Sequence, residues 1–288
     1  MWVLYAFCSA LFAGLTAVLA KIGIKDINSH LATALRTIFV VVFAWLIVLI
    51  VGSGETISTI DGHSWLFLIL SGLATGASWI CYFRALQLGN VNQVTPIDKS
   101  STVLTMLLAF ILLGEPLSSN MVLGMILILG GTYLMIERQS GEDATPKNKS
   151  WLFWAVLSAI FASLTAILGK IGITGVESNL GTAIRTMVVL LLAWAIVFAQ
   201  GTQKEICRID KKSWLFLLLS GVATGCSWLF YYRALQEGPA SIVAPIDKLS
   251  ILFTVGFSYL LLREKLNKKA LLGLIILTAG TLLLLWKF

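Results

Sequence analysis

The chain has 288 residues, 58% of them hydrophobic and 12% charged, with a mean hydropathy of +0.91. A soluble domain carries about 25% charged residues, so this composition excludes the soluble globular classes and points to an all-α polytopic membrane protein. The formal net charge of +7 sits in short loops between apolar runs, where it sets orientation in the bilayer rather than binding nucleic acid.

A membrane span needs ~20 apolar residues at 1.5 Å rise each. On that basis the chain reads as ten spans: Trp2–Ala20, Ser29–Val51, Ser64–Leu88, Val91–Leu113, Asn120–Ile136, Trp151–Gly169, Ser178–Ala199, Ser213–Gln236, Ala240–Leu262 and Lys268–Trp286. No basic stretch precedes the first apolar run, and that run recurs from Trp151, so we read it as a structural helix and not a cleaved leader. Most connections are short. The longest polar segment, 137–150, holds Gly141, Pro146 and mixed charges and reads as a linker. It separates two units, 1–136 and 151–288.

The units are tandem copies at a fixed offset of 149 residues. Lys21 returns as Lys170, Arg36 as Arg185, Trp79 as Trp228, Asp98 as Asp247 and Glu115 as Glu264, without a gap. Ala74-Thr75-Gly76 returns as Ala223-Thr224-Gly225. Each copy has an odd number of spans, so the second enters the membrane from the opposite side. Two inverted five-helix repeats are the plan of many secondary transporters, with the substrate site between the halves near the midplane. Gly72-x-x-x-Gly76 and Gly221-x-x-x-Gly225 in the third spans are read as helix-packing motifs.

The polar residues inside the spans are the candidate pathway. Pro96-Ile97-Asp98-Lys99 recurs as Pro245-Ile246-Asp247-Lys248. A charge at the bilayer centre costs ~2.5–3.5 kcal/mol even on the lenient insertion scale, and the proline frees a carbonyl one turn earlier. Arg36 and Arg185 lie about two turns into their spans. They either pair with Asp98 and Asp247 or face an anionic substrate group. Lys21, Lys170, Arg84 and Arg233 lie nearer span ends and are read as snorkelling. Asp98, Ser101, Thr102 and Thr105, and in the second copy Asp247, Ser250, Thr254 and Ser258, form polar stripes that should face the bundle. Trp79 with Tyr82, and Trp228 with Tyr231, share a helix face and either line a cavity or form an aromatic belt. Lys99 and Lys248 complete the set.

Other chemistries find no support. Cys8, Cys81, Cys207 and Cys226 have neither zinc nor redox spacing. His30 and His63 lie near span ends without ligand partners, and no phosphate-binding glycine loop or nucleophile–histidine–acid arrangement is present. We expect no metal, no cofactor and no enzymatic activity.

Each repeat ends alike, in Leu112-Leu113-Gly114-Glu115-Pro116-Leu117 followed by Gly124 to Gly131, and in Leu262-Arg263-Glu264-Lys265-Leu266 followed by Gly273 to Gly280. With the ten-span, two-repeat plan, these ends make the chain resemble the drug/metabolite transporter superfamily, in particular its EamA-type members. The Pro-Ile-Asp-Lys motif resembles that of short five-span relatives, as in a fusion of two such units. The resemblance implies a ten-helix bundle with a central cavity that moves small metabolites such as amino acids, often outward.

The reading is a secondary transporter, an exporter of small polar or zwitterionic metabolites by alternating access, in a prokaryotic cell (inner) membrane. Its partners are a small-molecule metabolite and the lipid bilayer, and it is a monomer or homodimer. Two rivals remain: a flippase for a lipid-linked polar headgroup, and a non-transporting membrane scaffold or sensor. EamA-type carriers usually keep both termini in the cytoplasm. Here Lys25, Arg138, Lys147, Lys149, Lys204, Arg208, Lys211, Lys212, Arg263, Lys265, Lys268 and Lys269 all fall on the opposite face, so the positive-inside rule puts both termini outside.

Overall fold

The computed structural model describes residues 1–23, 27–88, 97, 100–135, 150–257, 259–260 and 268–285. It is all-helical there. In the first half α1 spans Trp2–Gly23, α2 Ser29–Val51, α3 Gly62–Leu88, α4 Ser101–Leu113 and α5 Ser119–Met135. In the second half α6 spans Ser150–Gly172, α7 Ser178–Gln200, α8 Lys211–Glu237, α9 Ala240–Lys248, α10 Ser250–Phe257 and α11 Lys268–Leu285. Among the described residues, eight helical stretches are long and apolar enough to cross a membrane, and Ser101–Leu113 and Ser119–Leu134 are apolar but shorter. The first part of the expected fourth span, including Asp98 and Lys99, lies outside the described residues, as do the linker and Glu264.

One span departs from expectation. The ninth was expected as a continuous helix over Ala240–Leu262, but it breaks at Leu249 into α9 and α10. Pro245 has no N–H to give to the carbonyl one turn earlier. At the break the Leu249 N–H bonds the Ile246 carbonyl at 2.9 Å, a tighter turn. The same tight turn recurs in the first half, from the Ser100 N–H to the Ile97 carbonyl at 3.2 Å.

The helix ends repeat as the sequence does. Asn28 accepts from the His30 and Leu31 N–H groups, and its counterpart Glu177 from Leu180. Asp61 accepts from the Ser64 N–H at 3.3 Å, and Asp210 from Lys212 and Ser213. Both aspartates lie just outside the spans. Hydrogen bonding from Ser64 and Ser213 holds their carboxyls below the usual carboxylate value. Gly52 and Gly201 end α2 and α7 in the left-handed region, at φ 76° and 70°.

The helices of one half pack on those of the other: α1 on α8, α3 on α6, α2 on α7 and α5 on α11. The first two pairs exchange under the repeat and the last two map onto themselves, as a pseudo-twofold relation requires. Two inverted five-helix repeats are therefore assembled into one ten-span bundle. In such an arrangement the termini and the turns after α2, α4, α6 and α8 share one face, here the terminal face. The linker and the turns after α1, α3 and α7 share the other.

The bundle interior is built of small residues. Ala6, Ala10, Ala44, Ala85, Ala155 and Ala183 are buried, while Leu49, Ile50, Ile111, Ile126, Leu191 and Ile275 stand exposed. Lipid tails are as apolar as leucine, so helix association relies on close approach and on polar ties. Gly72 shows the approach. A Cβ there would sit 2.7 Å from the Val188 Cβ and 3.0 Å from the Arg185 carbonyl oxygen. Its mirror Gly221 meets Phe39 and the Arg36 carbonyl in the same way. The glycine motifs of the third spans thus seat α3 on α7 and α8 on α2.

Hydroxyls supply the ties. Ser71 donates to the Thr165 carbonyl at 2.8 Å and Ser78 to the Ser158 carbonyl at 3.1 Å. The mirrored bonds run from Ser220 to Thr16 and from Ser227 to Ser9, at 3.2 and 3.1 Å.

Candidate functional site

Arg185 lies about two turns into α7 and is 1% exposed. Its Nε donates to Ser71 Oγ at 3.3 Å and its Nη2 to Thr75 Oγ1 at 2.9 Å. Thr75 spends its own proton on the Ser71 carbonyl, leaving its lone pairs to the guanidinium. The Arg185 Cζ lies 4.3 Å from the Tyr232 ring centroid and 5.1 Å from that of Trp228. Charge-assisted hydrogen bonds contribute about 1.5–3 kcal/mol each and a desolvated cation–π contact about 2 kcal/mol. Together they offset the insertion cost of the cation. They do not neutralise it: among the described residues Arg185 has no ion pair.

Asp247 ends α9 beside Lys248, both half-buried. Its Oδ1 accepts from Ser9 Oγ on α1 at 2.7 Å, and Ser9 Oγ lies 3.2 Å from Ser227 Oγ on α8. The carboxylate therefore points into the bundle, held by a hydroxyl and not by Arg185. Through Ser9 it is tied to Ser227, the neighbour of Trp228 on α8. Tyr231 meets Tyr232 edge to face, with centroids 5.3 Å apart. Arg185, Trp228, Tyr231, Tyr232, Asp247 and Ser9 thus form one interior cluster carrying an unneutralised cation, an anion and aromatic faces.

The mirrored residues are arranged differently. Arg36 Nη2 donates to Thr224 Oγ1 at 2.9 Å, as Arg185 does to Thr75, but Arg36 Nε is buried without a partner among the described residues. Trp79 is half-buried and packs on the cluster of Leu31, Leu35, Ala193 and Leu217 between α2, α7 and α8. Tyr82 packs with Ile97, Trp151 and Trp154 about Ala85 and Ala155. Trp228, by contrast, lies against the Arg185 guanidinium, and Tyr231 against Tyr232. Asp98 and Lys99, the expected counterparts of Asp247 and Lys248, lie outside the described residues.

Ser101, Thr102 and Thr105 are buried, so the polar stripe of α4 faces the bundle. Thr105 bonds the Ser101 carbonyl at 2.9 Å, and Thr254 bonds the Ser250 carbonyl likewise. These threonine hydroxyls are satisfied within their own helices.

Two basic residues read as snorkelling behave differently. Arg233 is exposed and pairs with Glu237 at 2.7 Å. Lys170 turns inward instead: its Nζ donates to the Gly238 carbonyl and lies 3.4 Å from Glu115 Oε1. A cavity of about 750 Å³ opens beside this pair, lined by Asp61, His63, Ser64, Leu113, Glu115, Lys170 and Pro239 among others. The elements that end here place it on the terminal face.

The EamA-like transporter family model matches residues 1–137 and again 149–286. The chain belongs to the EamA-like transporter family. It is a transporter and a multi-pass membrane protein, not an enzyme. An uncharacterized transporter of a Sinorhizobium species is 50% identical over 48% of this chain and 97% of its own length, so that relative is about one repeat long. An uncharacterized transporter of Archaeoglobus fulgidus is 24% identical over 98% of this chain and 97% of its own. A putative sugar uptake protein of Listeria innocua is 25% identical over 73% and 76%. A crystal structure of a 17% identical protein superposes with a TM-score of 0.78, covering 98% of this chain and 96% of that one, and shares the fold.

Proposed function

We propose that this EamA-family protein exports small zwitterionic metabolites such as amino acids across a prokaryotic cell membrane, by alternating access between its two halves. The observation that carries the reading is the buried Arg185, without an ion pair among the described residues, in one cluster with Asp247. A carboxylate would take the bidentate face of the guanidinium, and an ammonium would take Asp247 and the aromatic faces of Trp228 and Tyr231. A neutral sugar would leave Arg185 unneutralised. Lys248 and Ser250 would flank Asp247, and by the repeat Asp98, Lys99, Arg36, Ser101, Trp79 and Tyr82 would extend the route into the first half. The direction follows the outward movement that the family resemblance implies.

Asp247→Asn tests the anionic end. The amide keeps the shape and can still accept from Ser9, so the fold should survive. Transport of a zwitterion in proteoliposomes should fall about tenfold or more, as expected for one charge-assisted contact, and Asp98→Asn should act in the same direction. Two folded variants transporting at the wild-type rate would remove the aspartates from the pathway.

Orientation is a separate proposal. Lys204, Arg208, Lys211, Lys212, Lys268 and Lys269 are exposed on the linker face, and short basic loops stay in the cytoplasm. The terminal face, with its cavity, is then external. A fusion at Phe288 should give active alkaline phosphatase and a dark fluorescent protein. The opposite pair of results would put the termini inside.

A further inference from the structure

The charged groups that line the terminal-face cavity differ in what they have left to give. Glu115 is 9% exposed. Its Oε1 accepts from the Ala240 N–H at 2.7 Å and lies 3.4 Å from Lys170 Nζ, and Oε2 accepts from the Ser241 N–H at 2.9 Å and the Ser241 hydroxyl at 2.5 Å. A carboxylate offers about four lone-pair sites, so Glu115 is saturated. Lys170 is not. One of its N–H donors goes to the Gly238 carbonyl and one to Glu115. The third has no partner among the described residues, and the side chain is 22% exposed where it lines the cavity. The N-terminus of α9 shares in neutralising Glu115, so the Lys170 charge is not wholly spent on that pair. A partly buried ammonium with a spare donor is a place for an anion.

The cavity has the size of a small-molecule site, about 300–1,000 Å³, and Leu113, Ile171 and Pro239 give it an apolar wall. Asp61 is exposed beside it, and a contact to so exposed a charge contributes little. The cavity also stands in line with the charged cluster. Ser64 lines the cavity, and Ser71, two turns further along α3 and about 10 Å away, accepts from Arg185. Pro239 lines it too, and Asp247 lies about 12 Å further along α9. Between cavity and cluster, Gly169 beside Lys170 seats Tyr232: a Cβ there would lie 2.5 Å from Tyr232 Cε1. Tyr232 is the ring against the Arg185 guanidinium.

We infer that the terminal-face cavity is a separate binding site for small carboxylates, anchored by Lys170, and an outer station on the route to Arg185. A ligand carboxylate accepts the spare Lys170 N–H, its carbon chain lies on the apolar wall, and the ammonium of a zwitterion adds a weak contact to Asp61. The inference rests on the reading of a carboxylate-bearing substrate, but its test does not pass through Arg185.

The test is protection of one introduced cysteine, Thr174→Cys, in purified full-length protein with Cys8, Cys81, Cys207 and Cys226 replaced by serine. Thr174 is exposed and lines the cavity. Its rate of modification by a polar maleimide is measured with propionate, with L-alanine and with propylamine, at constant ionic strength. Propionate and L-alanine should slow the reaction in a concentration-dependent way, and propylamine should not. Lys170→Gln should weaken the protection by about tenfold or more, as expected for one charge-assisted hydrogen bond, and Lys170→Arg should retain it. Arg185→Gln should leave it unchanged. No protection by propionate, equal protection by propylamine, protection that survives Lys170→Gln, or protection that disappears in Arg185→Gln would each overturn the inference. The comparison of propionate with propylamine needs no change at Lys170 and carries the test if Lys170→Gln does not fold. Protection at Thr174→Cys with no ligand effect that depends on Arg185 would keep the outer site and remove the zwitterion reading; the reverse pattern would do the opposite.

Discussion

Arg185→Gln should leave the protein folded and abolish ligand binding and transport. Glutamine can still bond Ser71 or Thr75, and it removes a buried charge that has no ion pair among the described residues, so the loss of the cation–π contacts is offset and the apo protein should melt close to wild type. Truncating one partner of a buried, hydrogen-bonded charge pair costs about 2–5 kcal/mol of binding, a loss of roughly 30- to 5,000-fold in affinity for a carboxylate ligand. Arg185→Lys should recover little of this. A lysine is a point charge on a flexible stem, and it cannot hold two hydroxyls and stack on Tyr232 at once. Melting and transport measured on the same preparations separate the outcomes. Unchanged transport by a folded Arg185→Gln protein would remove Arg185 from the substrate route. A large drop in apo stability would make it a structural cation.

The second large effect is steric. Gly72→Leu forces a Cβ to within 2.7 Å of Val188 and 3.0 Å of the Arg185 carbonyl, and backbone cannot yield as a side-chain tip can. Overpacking of this kind costs about 1–3 kcal/mol. The displaced element is α7 at Arg185, so binding should fall together with stability. Gly221→Leu should match it, against Phe39 and the Arg36 carbonyl. Gly130→Leu is the control: nothing lies within 4 Å of its Cβ position, and its melting temperature should stay at the wild-type value. Equal melting temperatures for Gly72→Leu and Gly130→Leu in detergent would mean that α3 and α7 are not in close contact.

The architecture was legible because it is written twice. An offset without gaps, an odd span count and glycines four apart were enough to read inverted repeats and close helix pairs. The candidate cluster was legible only where the halves agree. Arg185, Asp247, Trp228 and Tyr231 stood out in the sequence through their copies. Tyr232, nearest to the guanidinium, was missed because its counterpart is Phe83 and the repeat carries no signal there. Ser71 and Thr75 had a signal, in their copies Ser220 and Thr224, but hydroxyls on a span read first as packing. Glu115 and Lys170 were visible as a family ending and a snorkelling lysine. Their meeting at the start of α9 depends on tertiary structure, because three turns from different spans must converge for it. The break at Leu249 had its signal in Pro245, whose missing N–H loosens a helix without fixing where the chain gives way.

On the proposed reading an interior cation and anion together select a zwitterion. Thermal stability of the purified protein should be measured against a matched set: an amino acid, the amine without its carboxylate, the acid without its ammonium, and a neutral sugar. A ligand that binds the folded state raises its apparent stability. The expected result is a concentration-dependent rise with the amino acid, little or none with the other three, and loss of the rise in both Arg185→Gln and Asp247→Asn. A rise with the sugar or the amine alone that survives in the Arg185→Gln protein would contradict it.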